Sequence, residues 1–210
     1  MDNNALLVQK IEANRILKTP SIKEALLAVD RKDFVLPRYT DYAYLDRPLP
    51  IGEGQTISQP STVVFMLELL QAEKGHKVLD AGSGSGWTTA LLSHIVGPRG
   101  KVIAMELLPS LKTFGEENFK HAPYENGIFL QGNGAKGVPE EAPFDRILIS
   151  AGAREIPSAL LDQLAEGGKL VLPLQDRRGN LVLVEKRGNN DFHKSYYPGF
   201  AFVPFITDRE

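Results

Sequence analysis

The sequence predicts an α/β fold, a doubly wound and mainly parallel sheet preceded by an N-terminal helical cap. Three observations predict it. From Lys77 onward, short apolar runs alternate with helical stretches, the pattern that lays helices on a parallel sheet. The first of these runs, Lys77-Val78-Leu79-Asp80-Ala81, leads directly into Gly82-Ser83-Gly84-Ser85-Gly86 and then a helix, the junction at which open α/β sheets bind ligands. The chain has 210 residues, 42% of them hydrophobic and 24% charged, enough for one α/β domain with a sizeable core and too few for two.

The elements follow in order. Leu6, Leu7, Ile11, Ile16 and Leu17 fall on one helical stripe. Pro20 and Ser21 open a second helix, with Glu24 in capping-box register to Ser21. Residues 31–59 read as a long loop punctuated by prolines and glycines and rich in aromatics, which marks a functional segment. Pro60 suits the first position of a helix whose body is Val63 to Leu70. After the glycine loop come a helix over about 87–96 closed by Gly97, a strand over 101–105 ending at Glu106, and a helix over 109–121. A strand over 128–130, a strand over 146–150, a helix over 157–164 and a strand over 169–174 complete the alternation. Leu181 to Glu185 and the tail from Phe200 to Phe205 read as further, antiparallel edge strands. We divide the single domain 1–210 into N-terminal helices and loop (1–76), an α/β core (77–175) and C-terminal edge strands (176–210).

Composition excludes several chemistries. There is no cysteine, so disulfides, thiolate catalysis and Cys-ligated metals are out. The four histidines are scattered, and none pairs at the i, i+4 spacing of a helical zinc site, so no metal is expected. The net charge of −2 leaves no global footprint for nucleic acid or anionic membrane. No apolar run reaches the roughly 18–20 residues of a membrane span, and Met1-Asp2-Asn3-Asn4 does not begin a secretory signal.

The glycine loop is the first motif with chemistry in it. Glycines turn the backbone tightly and let a ligand lie against it. Asp80 stands ready to pin the turn. Glu106, 20 residues after Gly86 and at the end of the next strand, can accept hydrogen bonds from both hydroxyls of a ribose. The spacing is G-x-G-x-G rather than the dinucleotide G-x-G-x-x-G, and no Lys-Ser/Thr pair marks a P-loop. It resembles the loop of S-adenosylmethionine-dependent methyltransferases. Gly132-Asn133-Gly134 follows the third strand, where Asn133 offers an acceptor and a donor to an adenine edge; the alternative is a plain Asn-Gly turn.

A more particular resemblance lies upstream. Asp46-Arg47-Pro48-Leu49-Pro50-Ile51-Gly52 through Gly54-Gln55-Thr56-Ile57-Ser58-Gln59-Pro60 is similar to the signature segment of protein-L-isoaspartate O-methyltransferases. The likeness extends through Val78 to Gly86, Pro139 to Asp145, Ile156-Pro157, Leu164 to Leu170 and Phe202-Val203-Pro204. It implies a class I, Rossmann-like methyltransferase fold and S-adenosyl-L-methionine as cofactor. It implies methylation of the free α-carboxylate of L-isoaspartyl residues in damaged proteins and peptides, with repair through a succinimide. By match to the family's motif, Ser58 is the catalytic candidate, its hydroxyl holding one carboxylate oxygen. Thr56, Gly82, Ser83, Gly84, Ser85, Glu106, Asn133 and Gly134 are the cofactor-binding candidates. The acceptor is already ionised at neutral pH, so no strong base is required. The resemblance further implies a cytoplasmic monomer with isoaspartyl proteins and peptides as partners and no nucleic acid or membrane.

Two positions depart from the family, as does the ending Val203-Pro204-Phe205-Ile206-Thr207, from which no residue role is carried over. Asn133 stands where Gly-Asp-Gly is usual, which implies weaker cofactor binding by about 0.5–1.5 kcal/mol for one hydrogen bond. Arg154 interrupts the small-residue run Ala151-Gly152-Ala153 and suits either a peptide carboxylate or solvent. Ser58, two residues before Pro60, is open to a second reading as a helix cap. Two other functions share the features read so far: a related enzyme esterifying aspartate in a dedicated peptide, and a non-catalytic cofactor-binding protein.

Overall fold

The computed structural model describes residues 3–188 and 191–206. The chain opens with α1 (Asn3–Ala13) and α2 (Pro20–Ala28), then two 3-10 turns (Arg31–Phe34 and Pro37–Tyr42). The hairpin β1 (Leu49–Gly52) and β2 (Gln55–Ile57) leads into α3 (Pro60–Leu70). The alternating region is β3 (Lys77–Ala81), α4 (Trp87–Val96), β4 (Lys101–Glu106), α5 (Pro109–Phe119), β5 (Gly127–Gln131), β6 (Phe144–Ile149), α6 (Ser158–Asp162) and β7 (Leu164–Pro173). Strands β8 (Leu181–Gly188) and β9 (Asp191–Tyr197) close it.

The main sheet runs β5-β4-β3-β6-β7-β8-β9. Its first five strands are parallel, and β8 and β9 add antiparallel. The chain builds outward from β3 through β4 to β5, then returns to the other side of β3 with β6. That reversal is the switch point at which the loops after neighbouring strands diverge and leave a crevice. Alternation along each strand divides the core in two. Val78, Val102, Leu148 and Val171 pack under the helices α1 to α5, while Leu79, Ile103, Ile147 and Leu170 pack on the face carrying α6. Burial on both faces is why these strands read as continuous apolar runs.

The alternation from Lys77 to Pro173 is therefore as the sequence predicts, with helix ends shifted by a few residues. Three expectations are corrected, and one strand was not foreseen. Ser21 does not cap α2: the N-cap is Thr19, and its hydroxyl donates to Glu68 Oε2 at 2.8 Å, tying α2 to α3. Residues 31–59 are not a bare loop but two 3-10 turns and a hairpin, whose turn residues Glu53 (φ +53°) and Gly54 (φ +69°) are both left-handed, as tight hairpins favour. The final strand is Asp191–Tyr197, an exposed polar edge with little apolar signal. The tail from Phe200 to Phe205 forms only an isolated bridge, Gly152 to Pro204.

Two buried features fix the glycine loop to this frame. At Gly86 φ is +82°, and a Cβ there would lie 2.5 Å from the Gly115 carbonyl oxygen of α5. Asp80, at the end of β3, is fully buried, and its Oδ2 accepts from the hydroxyls of Thr88 and Thr89 at 2.7 Å each, while Oδ1 has no partner among the described residues. Burial pushes its pKa up to about 6, against the two threonine hydrogen bonds.

Gly86→Ala is expected to destabilise by about 2 kcal/mol or more, combining left-handed strain with a backbone clash; a melting temperature equal to the parent's would refute the packing described. For Asp80 the folded pKa lies above the ordinary value of 3.8. The folded state therefore binds the extra proton between pH 3.8 and about 6, and stability falls as pH rises through that window, by about 2–3 kcal/mol. Asp80→Asn is expected to raise the melting temperature over the parent at pH 7.5, with the gain shrinking towards pH 4. An equal offset at both pH values would show that burial of the charge is not the cause.

Candidate active site

The crevice at the switch point is floored by the glycine loop. Gly82 and Ser83 both donate their amides to the Met105 carbonyl, at 2.8 and 3.2 Å, so the loop leaves β3 bound to β4. Asn118 of α5 donates to the Ser85 carbonyl at 3.0 Å. Glu106 stands at the end of β4, 7% exposed. Its Oε2 accepts from Gly84 N–H and its Oε1 from Leu108 N–H, both at 3.0 Å. Each carboxylate oxygen retains a second acceptor direction, so the group can pin the loop and still receive hydroxyls.

The cleft encloses a narrow cavity of about 50 Å³. Thr56, Gly82, Gly84, Glu106 and Gly134 line it. Ile51 of the hairpin, Leu108 and Leu111 supply apolar walls, and the tail adds Phe205. The Phe205 ring leans on two glycines: a Cβ at Gly134 would lie 2.9 Å from its Cζ, and one at Gly82 3.7 Å from its Cε2. Backbone bonds between Gly152 and Val203 and between Phe205 and Gly152, each 2.8 Å, hold the tail there. A smaller cavity of about 30 Å³ shares Thr56, Gly82, Gly84 and Ser150 with the cleft and adds Ser58, Ser83 and Ser85. A groove from Ser58 and Thr62 to Gly199 and Phe202 continues to the surface.

The structure thus brings Ser58, Thr56, Gly82 to Ser85, Glu106 and Gly134 together. Asn133, next to Gly134, lines an adjoining depression that shares Pro204, Phe205 and Ile206 with the cleft, and its Oδ1 accepts from Ala135 N–H at 2.9 Å. Arg154 is exposed and lines that same depression, not the groove beside Ser58. Ser58 is not a helix cap: the N-cap of α3 is Gln59, and the Ser61 amide goes to Asp46 Oδ1 at 2.8 Å. Among the described residues no histidine lines these cavities, no group of three metal-ligating side chains occurs, and no helix is long and apolar enough to cross a membrane.

The roles of several residues of the site were not legible in the sequence. Ser150, at the end of β6, lines both cavities. Asp46 anchors α3 from the segment before the hairpin. Arg31, beside Lys32 and Asp33, reads as a surface charge, yet its side chain is fully buried. Its guanidinium donates to the carbonyls of Ala43, Arg47 and Ser58. Burial lowers its pKa to about 10, the Asp46 carboxylate working the other way, so it stays charged at neutral pH.

The residues suit a nucleoside sulfonium such as S-adenosylmethionine. The buried hydroxyls of Ser83 and Ser150 have no hydrogen-bond partner among the described residues, and an unmet buried hydroxyl costs about 1–3 kcal/mol. Both line the cavity that also holds Ser58. The glycine backbone offers close approach, and Glu106 supplies the acceptors.

The sequence matches the protein-L-isoaspartate(D-aspartate) O-methyltransferase (PCMT) family over residues 1–210. The protein-L-isoaspartate O-methyltransferase of Methanopyrus kandleri is 45% identical over 204 residues, covering 96% of this chain and 90% of the relative. That of Pyrococcus horikoshii is 40% identical over 203 residues, covering 96% and 91%. A Plasmodium falciparum beta-aspartate methyltransferase (PCMT), in complex with S-adenosyl-L-homocysteine, superposes with a TM-score of 0.89 at 27% identity, covering 99% of this chain and 100% of that one. A longer protein-L-isoaspartate O-methyltransferase, of which this chain spans 65%, superposes with a TM-score of 0.87 at 30% identity over 96% of this chain. With the glycine loop, Glu106 and Ser58 gathered at one switch point, the chain belongs to the protein-L-isoaspartate O-methyltransferase family.

Proposed function

We propose that this chain transfers a methyl group from S-adenosyl-L-methionine to the free α-carboxylate of L-isoaspartyl residues in proteins and peptides, the first step of their repair. The observation that carries the reading is the cavity shared by Ser58 and Gly82 to Ser85, which joins the glycine cleft to a groove open to the surface. When bound, the cofactor supplies a methyl group made electrophilic by the adjacent sulfonium charge.

The chain's own residues do the rest. Gly82 to Ser85, Gly134 and Thr56 form the walls that hold the cofactor, and Glu106 accepts its ribose hydroxyls. The hydroxyl of Ser58 donates to one oxygen of the substrate carboxylate and leaves the other to attack. That carboxylate is ionised at neutral pH, so no residue need remove a proton. Orientation within a water-poor cleft then accounts for most of the acceleration. In this reading, segment 77–175 supplies most of the cofactor site within the one domain, with Thr56 added from 1–76, and the rest of 1–76 together with 176–210 presents the acceptor. Action as a cytoplasmic monomer, with no nucleic acid or membrane partner, belongs to the same proposal.

Two peptides of one sequence, differing only in aspartate or isoaspartate, test this with labelled cofactor. Only the isoaspartyl peptide is expected to gain a base-labile methyl ester. Ser58→Ala is expected to lower kcat/KM by about 10- to 100-fold, the worth of a hydrogen bond to a charged group, with cofactor Kd little changed. Labelling of the aspartyl peptide alone would instead favour an enzyme for a dedicated aspartyl sequence. Asn133→Asp keeps the cap on Ala135 and adds a charged acceptor, so calorimetry is expected to show cofactor bound about 2- to 10-fold more tightly; unchanged or weaker affinity would remove Asn133 from the cofactor site.

A further inference from the structure

The most deeply buried cation among the described residues is Arg31, with no exposed side-chain surface. Three of its contacts lie in the segment that precedes α3. Nη1 donates to the Ala43 carbonyl, and Nη2 donates to the carbonyls of Arg47 and Ser58 at 3.1 Å each. Its fourth contact lies on the cofactor side: the guanidinium carbon sits 5.4 Å from the ring centroid of Trp87. Trp87 is the first residue of α4, directly after Gly86 of the glycine loop, and is itself buried. Nε of Arg31 has no hydrogen-bond partner among the described residues.

Burial of a charge is a poor way to gain stability, because desolvation offsets the attraction and an apolar side chain of similar volume commonly does as well. What a guanidinium adds is geometry. Its planar fork fixes several acceptors in set directions while its face stacks on an aromatic ring, a combination that neither the point charge of a lysine nor an apolar side chain reproduces. Here the fork spans the two halves of the site.

We propose that Arg31 is a positioning residue for methyl transfer, holding the Ser58 backbone against the first residue of α4 so that the Ser58 hydroxyl keeps one spacing from the glycine loop. The inference rests on the reading of Ser58 as the residue that holds the acceptor carboxylate. A displacement of about 1 Å at a reacting group is enough to cost two orders of magnitude in rate, so the loss of Arg31 should act on kcat through Ser58.

The test uses the full chain with Arg31→Met and Arg31→Lys, each assayed well below its own melting temperature. Arg31→Met is expected to lower kcat for the isoaspartyl peptide at least 10-fold, while the Kd for S-adenosylhomocysteine stays within about 3-fold. Arg31→Lys, which keeps the charge but not the fork, should recover only part of that loss. Trp87 is the only tryptophan, so its emission reports the missing cation directly and should change in Arg31→Met. The Ser58→Ala/Arg31→Met double variant should be no slower than the slower single variant, because both remove the same positioned hydroxyl. Losses that multiply in the double variant would overturn the proposal, as would an unchanged kcat in Arg31→Met. If neither Arg31 variant folds, the residue serves the fold and the positioning role falls. If Ser58→Ala alone is without effect, the reading of Ser58 fails first and takes this inference with it.

Discussion

The Glu106 carboxylate, holding the amides of Gly84 and Leu108 at 3.0 Å each, is the constraint on which the rest of the site depends. The glycine loop turns through left-handed conformations at Gly82, Gly84 and Gly86, and nothing in glycine itself selects one such path over another. Glu106 selects it, by fastening the crest of the loop to the end of the neighbouring strand. The close approach of Gly86 to Gly115 and the threonine clamp on Asp80 then carry that choice into α5 and α4. Glycines adopt these angles without strain, so the frame around the loop fixes its path rather than sustaining a distortion.

The acceptor side is assembled by different means. Residues 31–59 contain no element longer than six residues, so backbone ladders alone cannot position Ser58. Side chains take over. Asp46 receives the Ser61 amide and the Gln59 side chain at the start of α3, Ser110 reaches from α5 to Glu53 at the hairpin turn at 2.8 Å, and Arg31 gathers three carbonyls. A segment organised this way has its geometry concentrated in a few polar contacts, which makes it sensitive to single substitutions in a way the sheet is not.

That difference also decides what could be read from the amino acids. Strands β3, β4, β6 and β7 are buried on both faces, so hydrophobic drive, strand propensity and turn residues all agree, and the sequence declares them. Glu106 and the glycine loop were visible because their spacing is set by the length of one strand–helix–strand unit. The hairpin was hidden because its strands are four and three residues long and one of them holds Pro50. Strand β9 was hidden because its side chains are half-buried or exposed, and the tail imitated a strand because Phe202, Val203 and Phe205 are apolar for the sake of the cleft rather than a sheet. Arg31 was least legible of all. No local pattern distinguishes a buried arginine from a solvated one, since its partners are carbonyls 12 to 27 residues away.

The placement of charge suits a carboxylate that must react. Among the described residues no lysine or arginine lines the cleft, the inner cavity or the groove beside Ser58. A cation there would bind the acceptor more tightly, but methylation removes the acceptor's charge, so that attraction is greatest before the reaction and lost as it proceeds. Binding that favours the ground state over the transition state slows the chemical step. A neutral hydroxyl orients the carboxylate at a smaller cost in reactivity. Arg31, whose guanidinium reaches the Ser58 carbonyl, has its donors directed to backbone carbonyls and its face to Trp87, so it contributes shape to the acceptor site while its charge is largely engaged elsewhere.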